Sequence, residues 1–246
     1  MIYSFKKIKI YYNIFNETHK EDIPILFLHG WGMNGSCFDF FCKNLPNKKC
    51  ITIDFPPFGN SKEPNFSLNI QDYTNIIIRL LNKLNIHKID VVAHSFGGRI
   101  AIELSANTNF VNKLILTGSA GIKNNTIKKY LKVRKFKFLK FLAKIRLYPY
   151  KKLNNYGSSD YKILSPVMKQ TFKNIVNYDQ TYLLCKIKAS TLLIWGRLDE
   201  ETPFYFTKIF KKNIKDCEVI VFEKCGHFAF LEKPQLFLNI IKSFCC

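Results

Sequence analysis

The chain has 246 residues, 47% of them hydrophobic, and a formal net charge of +20 at pH 7. This hydrophobic content is sufficient for a large core, so the composition excludes an intrinsically disordered protein. The longest apolar run, Ile23 to Leu28, is far too short to cross a bilayer, and no signal-peptide pattern opens the chain. We therefore expect one cytoplasmic domain, in which the eight cysteines are reduced thiols that hold no metal.

Lysine supplies most of the positive charge, since only five of the 38 basic residues are arginines. Proteins that read nucleic acids depend on arginine for bidentate contacts, so we expect no nucleic-acid partner. The charge is also unevenly distributed, because residues Ile122 to Lys186 contain sixteen Lys and Arg residues and only two acidic residues. This segment needs an explanation separate from that of the remaining chain.

In chain order, short apolar runs alternate with segments of helical periodicity as far as Thr117. The first pattern, Ser4 to Tyr12, alternates apolar side chains with lysines and predicts one edge strand. The next run, Pro24–Leu28, is apolar throughout, which is typical of a strand buried on both faces of a parallel sheet. Strands are predicted at Pro24–Leu28, Cys50–Ile53, Ile89–Val92, Val111–Thr117, from Thr191 and at Val219–Phe222, and helices at Ser36–Leu45, after Ser67, after Ser95 and at Pro234–Phe244. The alternation predicts an α/β fold with a mostly parallel sheet and helices on both faces.

The stretch from Ile89 to Ala106 carries the strongest functional signal, because it combines a strand, a sharp turn and a helix. Ser95 lies at the corner, with Ala93 two residues before it and Gly97 two residues after it, so no bulky side chain obstructs a tight turn. This is the pattern of a nucleophile elbow, which exposes the serine hydroxyl above the end of the strand. It also leaves the backbone N–H of Phe96 free to stabilise an oxyanion. The alternative is an ordinary turn between a strand and a helix.

A glycine-rich loop, His29-Gly30-Trp31-Gly32, follows the strand that ends at Leu28. In a parallel sheet such a loop can bring backbone N–H groups beside the nucleophile, so we predict that Trp31 supplies the second oxyanion donor. His29 and His94 flank the proposed donor and nucleophile, and we expect them to shape the substrate pocket. An ordinary glycine turn is the alternative for this loop.

An acid and a base follow two later strands. Asp199 lies just beyond the strand that begins at Thr191, where a carboxylate can orient a catalytic imidazole, although a helix N-cap would also explain it. His227 lies in a glycine-containing loop after the strand Val219–Phe222. Ser95, Asp199 and His227 thus each follow a different strand, which favours nucleophilic catalysis by a serine, a histidine and an aspartate.

Residues 122–186 interrupt the alternation and predict a helical cap inserted into an α/β core that comprises 1–121 and 187–246. On a helical wheel Phe138, Phe141 and Leu142 lie on one side, where they can line the substrate pocket, and lysines gather on the opposite side. We favour a cap whose lysines face water. The alternative is that the basic face makes weak contact with an anionic membrane or an acidic carrier protein.

Four motifs, correctly ordered, resemble the alpha/beta hydrolase superfamily over essentially the whole chain. They are His-Gly-Trp-Gly, Ala-His-Ser-Phe-Gly-Gly, Trp-Gly-x-x-Asp-x-x-x-Pro and Gly-His-Phe, and the sequence is most similar to small bacterial carboxylesterase-type members. The resemblance implies that Ser95 is the nucleophile, Asp199 the acid and His227 the base. It also implies a cap between strands six and seven and no cofactor. The sequence departs from the family pattern at two positions. Ala93 replaces glycine at the elbow, and Pro57 stands where relatives have glycine, which leaves the shape of the loop around Pro57 open.

The resemblance favours hydrolysis of a small-molecule carboxylic ester or thioester, with an acyl-enzyme on Ser95 and an oxyanion held by the amides of Trp31 and Phe96. Carbon–carbon bond hydrolysis and perhydrolysis use the same residues and stay open. Serine at the elbow argues against haloalkane dehalogenases and epoxide hydrolases, which carry aspartate there. A non-catalytic small-molecule receptor on the same scaffold is the alternative from another class. No pattern specifies the acyl group, the alcohol or the oligomeric state.

Overall fold

The structure, a computed structural model, describes residues 1–17, 23–123, 143, 149, 161 and 163–246. Its strands are β1 (Ile2–Phe5), β2 (Ile8–Phe15), β3 (Ile25–Leu28), β4 (Cys50–Asp54), β5 (Ile89–His94), β6 (Val111–Thr117), β7 (Ser190–Gly196) and β8 (Cys217–Phe222). Within the described residues they form one sheet in the order β1-β2-β4-β3-β5-β6-β7-β8. The β1–β2 and β2–β4 pairs are antiparallel, and the other neighbouring strands run parallel. The predicted mostly parallel sheet is therefore confirmed.

The first predicted strand is wrong in its extent, because the chain turns back inside it. Lys6 and Lys7 have φ angles of 45° and 68°, and β1 pairs with β2 so that Phe5 lies opposite Ile8. Positive φ at two consecutive residues is typical of the tight turns that join hairpin strands. Two consecutive lysines, Lys6 and Lys7, interrupt the alternation between Phe5 and Ile8, and this interruption is the sign of the turn in the sequence.

The described helices are α1 (Asp39–Lys43), α2 (Ile70–Lys83), α3 (Phe96–Asn107), α4 (Pro166–Val176), α5 (Phe206–Asn213), α6 (Ala229–Glu232) and α7 (Pro234–Cys245), with 3-10 helices at Gly35–Phe38 and Thr181–Lys186. Helix α2 begins later than predicted, because its N-cap is Asn69 and not Ser67. Asn69 and Asp72 each bind the other's backbone N–H, and this capping box fixes the first turn. In the described part of the chain, no helix has the length and apolar character needed to cross a membrane.

The two faces of the sheet carry separate hydrophobic clusters, because side chains alternate along each strand. Leu26 and Leu28 of β3 belong to a cluster that includes residues of α2, α3 and α5, whereas Ile25 and Phe27 belong to one that includes residues of α1, α6 and α7. Helices therefore cover both faces, as predicted. Since β3, β5, β6, β7 and β8 are parallel, their carboxyl ends meet at one edge, where the predicted site residues follow them.

Candidate active site

Ser95 lies between β5 and α3 in the sharp turn that the sequence predicts. Its backbone has φ of 51° and ψ of −110°, a conformation that residues other than glycine rarely adopt. Hydrogen bonds hold the turn on both sides. The Ser95 N–H donates to the Thr117 carbonyl at 3.2 Å, and the Ser95 carbonyl accepts from the amides of Gly98 and Ala120, both at 3.0 Å. Strained backbone that is held in this way is typical of functional turns.

Two backbone amides near Ser95 bind no acceptor in the described part of the chain. Phe96 opens α3, so its N–H has no carbonyl within the helix, and the Trp31 N–H likewise donates to no described residue. The two segments are in contact, since the rings of Trp31 and Phe96 meet edge to face with centroids 5.4 Å apart. Gly97 permits this approach, because a Cβ there would lie 2.3 Å from the Leu28 carbonyl oxygen. Both predicted oxyanion donors thus lie where α3 meets the end of β3.

Asp199 and His227 form a hydrogen-bonded pair. His227 Nδ1 lies 2.9 Å from Asp199 Oδ2, which also accepts the Thr202 hydroxyl at 2.8 Å. Asp199 Oδ1 accepts the backbone N–H groups of Glu201 at 2.9 Å and Thr202 at 2.8 Å. Burial raises the pKa of Asp199, but the hydrogen bonds from His227 and Thr202 outweigh it, so the pKa lies below its usual value. An ionised Asp199 therefore caps its own turn and contacts the imidazole at the same time.

The His227 ring lies beside the residue that precedes Ser95. Its centroid is 4.8 Å from that of His94, and His94 Nε2 donates to the His227 carbonyl oxygen at 3.1 Å. Because Asp199 occupies Nδ1, Nε2 is the ring nitrogen available to Ser95. The Ser95 hydroxyl and the His227 ring make no hydrogen bond to each other in the described structure. Such bonds are often long in unliganded sites and shorten when substrate binds.

His29 and His94 lie behind the wall of the candidate pocket and do not line it. Both are at most 1% exposed. His29 accepts the Phe55 N–H at Nε2, at 2.9 Å, and donates from Nδ1 to the Gly30 carbonyl at 2.8 Å. Burial lowers the pKa of His29 to about 4 and that of His94 to about 3, so both rings are neutral at pH 7. Any influence on a pocket is therefore indirect, through the loops that these rings hold.

A cavity of about 290 Å³ lies beside Ser95. Eight of the thirteen described lining residues are apolar, and they include Phe172, Ile175 and Val176 of α4, within the segment predicted to be a cap. The predicted pocket residues Phe138, Phe141 and Leu142 lie outside the described residues. The described residues that line the cavity are Trp31, Ser95, Phe96, Arg99, Ala120, Ile122, Lys123, Phe172, Ile175, Val176, Glu201, Thr202 and Phe206.

Three residues of the site were not anticipated from the sequence. Thr202 completes the turn around Asp199, because its backbone N–H and its hydroxyl both donate to the Asp199 carboxylate. Phe172 packs its ring 5.3 Å from that of Trp31, a contact between distant parts of the chain that no local pattern indicates. Arg99 lines the cavity one helical turn beyond Ser95. The sequence shows that Arg99 lies four residues after Ser95, but it does not show that the side chain of Arg99 lines the cavity.

Proteins of known name are similar to this chain over most of their length. The AB hydrolase superfamily protein YisY of Bacillus subtilis is 27% identical, over 97% of this chain and 97% of that protein. The pimeloyl-(acyl-carrier protein) methyl ester esterase of Wigglesworthia glossinidia brevipalpis is 31% identical, over 90% of this chain and 93% of that protein. A 2-hydroxy-6-oxononadienedioate/2-hydroxy-6-oxononatrienedioate hydrolase of Escherichia coli is 25% identical, over 94% and 89%.

A solved structure shares the fold of this chain, and a family model matches most of its length. The alpha/beta hydrolase enzyme MGS-M2 from a Medee basin deep-sea metagenome library superposes with a TM-score of 0.77, covering 99% of this chain and 96% of that chain at 21% identity. At this identity the likeness shows the fold alone. The model of the alpha/beta hydrolase family matches residues 25–240. By this match over most of its length, the chain belongs to the alpha/beta hydrolase family.

Proposed function

We propose that this alpha/beta hydrolase is a serine hydrolase that cleaves a carboxylic ester or thioester of a small molecule. The observation that carries the proposal is the position of strained Ser95 in the wall of a cavity, next to the loops that hold the Asp199–His227 pair. A serine hydroxyl needs an adjacent base to become a nucleophile, and the base needs a third group to orient it. The three side chains supply these three parts.

Acyl transfer in two steps accounts for the arrangement. His227 Nε2 takes the Ser95 proton while the oxygen attacks the acyl carbon, and the same nitrogen then protonates the leaving alcohol or thiol. Water attacks the acyl-enzyme with His227 again as base, which releases the acid and restores Ser95. Asp199 holds the Nδ1 proton and stabilises the charged imidazole. The amides of Trp31 and Phe96 donate to the oxyanion in both steps.

Ester turnover tests this proposal directly. We expect the parent to hydrolyse p-nitrophenyl acyl esters, and Ser95→Ala to lower kcat by roughly 10⁶ if the three residues act as a unit. The matched control is Ser243→Ala, an exposed serine on α7, which should retain the parent rate. Thermal unfolding of all three proteins would show whether the folds are equivalent. Parent-like turnover by Ser95→Ala would remove Ser95 from the mechanism, and a parent without turnover would favour the non-catalytic receptor.

Carbon–carbon bond hydrolysis is the second candidate. The Escherichia coli relative is named as the hydrolase of an oxo dicarboxylate. The name of that compound contains no ester, so the bond that is hydrolysed is not an ester bond. Faster turnover of a 1,5-diketone acid than of any acyl ester would select this candidate, because the same Ser95 and His227 serve both reactions. Perhydrolysis would instead show as peroxyacid formation from hydrogen peroxide and a carboxylic acid.

We also propose that residues 122–186 form the cap over the core of 1–121 and 187–246. The packing of α4 supports it, because Thr171 Oγ1 accepts the Leu68 N–H at 3.0 Å and Phe172 covers Trp31. The basic composition of this segment fits an acidic partner, and one relative is named for an acyl-carrier-protein substrate. Replacing Lys132, Lys137, Lys140 and Lys144 by Gln should then slow turnover of carrier-bound or liposomal esters only, and salt should reproduce that loss in the parent.

A further inference from the structure

Arg99 is a buried cation in the cavity that contains Ser95. It lies four residues after Ser95 on α3, lines the cavity and is only 7% exposed. Burial lowers the pKa of the guanidinium to about 10, so it still carries its charge at neutral pH. A buried charge is unfavourable unless an opposite charge or a full set of hydrogen bonds compensates it.

The described residues supply little of that compensation. The charge of Asp179 raises the pKa of Arg99, but this carboxylate accepts hydrogen bonds from Thr181 and makes none to the guanidinium. Arg99 forms no ion pair with any of them, and its single protein hydrogen bond runs from Nη1 to the Tyr178 carbonyl oxygen at 2.6 Å. Glu103 lies one turn further along α3 but accepts hydrogen bonds from Tyr178 and Gln180 instead. A guanidinium has five N–H donors in a planar fork, so most of them stay available to a ligand.

The surroundings of Arg99 suit a substrate whose acyl chain ends in an anionic group. The cavity wall near it includes the apolar side chains of Phe96, Phe172 and Ile175, which suit methylene groups. Lys123 adds a second positive charge to the lining, and the acidic residue in it, Glu201, is exposed to solvent. Four residues of α-helix separate Ser95 from Arg99 by about 6 Å along the axis, which leaves room for a short acyl spacer.

We propose that Arg99 binds a carboxylate at the far end of the acyl chain, so that the preferred substrates are half-esters of dicarboxylic acids. This inference rests on the proposed function, because it takes the acyl carbon to react at Ser95. The carboxylate would accept two N–H groups from the fork, the geometry in which arginine recognises carboxylates most strongly. The competing explanation is that Arg99 only anchors the end of the cap through the Tyr178 carbonyl.

Matched ester pairs distinguish the two explanations. For each acid from succinate to suberate, the monomethyl ester carries the charge and the dimethyl ester does not. We expect the parent to show a kcat/KM for the best half-ester about 10- to 100-fold above that of its diester, the range of a charged hydrogen-bonded contact. Arg99→Gln should reduce this ratio by a similar factor, and Arg99→Lys should give an intermediate ratio. Arg79→Gln, an exposed arginine on α2, should keep the parent ratio.

Several results would overturn the proposal. One is a parent enzyme that shows no preference for half-esters at any acyl-chain length. This result does not depend on whether any variant folds. Another is an Arg99→Gln enzyme that loses both esters equally, as a purely structural anchor would. If Arg99→Gln does not fold, the half-ester to diester ratio of kcat/KM in Arg99→Lys decides. A ratio equal to that of the parent, together with a half-ester preference that salt does not weaken, counts against the proposal.

A binding experiment separates this proposal from the proposed function. Calorimetry of Ser95→Ala with the monomethyl and dimethyl esters requires no turnover. Tighter binding of the monomethyl ester, lost in the Ser95→Ala/Arg99→Gln double variant, would support the anion site even if the parent hydrolyses no ester. Equal affinity for the two esters would contradict the anion site even if the parent proves to be an active esterase.

Discussion

The two buried histidines near the elbow make the stability of this protein depend on pH. His29 and His94 have pKa values lowered to about 4 and about 3, from an unfolded value of 6.5, because burial disfavours the charged ring. Below pH 6.5 the unfolded chain binds protons that the folded chain does not accept. Stability is therefore complete above pH 6.5 and is lost as the pH falls towards 4. The carboxylate of Asp199, whose pKa is lowered, adds its own loss only below about pH 3.8.

The expected result is a free energy of unfolding that falls by about 1.4 kcal/mol per pH unit for each buried imidazole between pH 6.5 and 4. Urea unfolding at several pH values measures this slope. His29→Gln should reduce the slope by about 1.4 kcal/mol per pH unit, the contribution of one proton. Ser243→Ala, which changes an exposed residue that does not titrate, should leave it unaltered. A slope in His29→Gln equal to that of the parent would show that His29 does not remain neutral on folding.

For single residues, the sequence indicates which residues lie near the site better than it indicates which way their side chains point. Ser95 and Phe96 are fixed by the elbow pattern, and Trp31 by its place after a buried strand. His29 and His94 lie close to those residues in sequence, yet both are buried and neither lines the cavity. Strand and turn residues alternate between faces, so a one-residue difference in register reverses a side chain. Chain position alone therefore cannot separate a lining residue from one that supports it.

Among the elements, the end of β7 is the one whose backbone most closely limits the site. A Cβ on Gly196 would lie 2.1 Å from the Gly226 carbonyl oxygen and 2.4 Å from that of Cys225. Both carbonyls belong to the loop that carries His227. Glycine at 196 thus allows β7 and the histidine loop to approach within contact distance, which keeps Asp199 and His227 together.

Gly196→Ala should push the histidine loop away. We expect a loss of about 1 to 3 kcal/mol in the free energy of unfolding, as for other insertions into packed structure, and about a 100-fold loss of kcat from displacement of His227. Gly226→Ala is the matched control, since a Cβ there meets nothing closer than Glu232 Oε1 at 3.6 Å. Equal effects of the two variants in urea unfolding and ester kinetics would mean that the close approach is not what positions His227.

Element types follow from the sequence more reliably than element ends. The apolar runs at β3, β5 and β6 are unambiguous, whereas only a pair of adjacent lysines, Lys6 and Lys7, marks the turn between β1 and β2. The position of α4 over Trp31 depends on contacts such as that of Phe172, which join segments more than a hundred residues apart. The prediction that Phe138, Phe141 and Leu142 line the pocket stays a prediction.

For the molecule as a whole, the fold and the family follow from the order of four short motifs along one chain. Each motif alone is a turn that many proteins contain. Their order brings Ser95, Asp199 and His227 to one edge of the sheet, because parallel strands direct their carboxyl ends to the same side. The substrate does not follow in this way, since Arg99 becomes informative only when it is known to be buried and to form no ion pair with any described residue.

The central claim is that Ser95 is the nucleophile, and covalent labelling tests it most directly. A fluorophosphonate reacts with a serine that an adjacent base activates, and mass spectrometry of the digested protein identifies the modified residue. We expect one adduct per chain, on the peptide that contains Ser95, with labelling that is lost in His227→Gln. An adduct on any other residue, or no adduct on the folded parent, would contradict it.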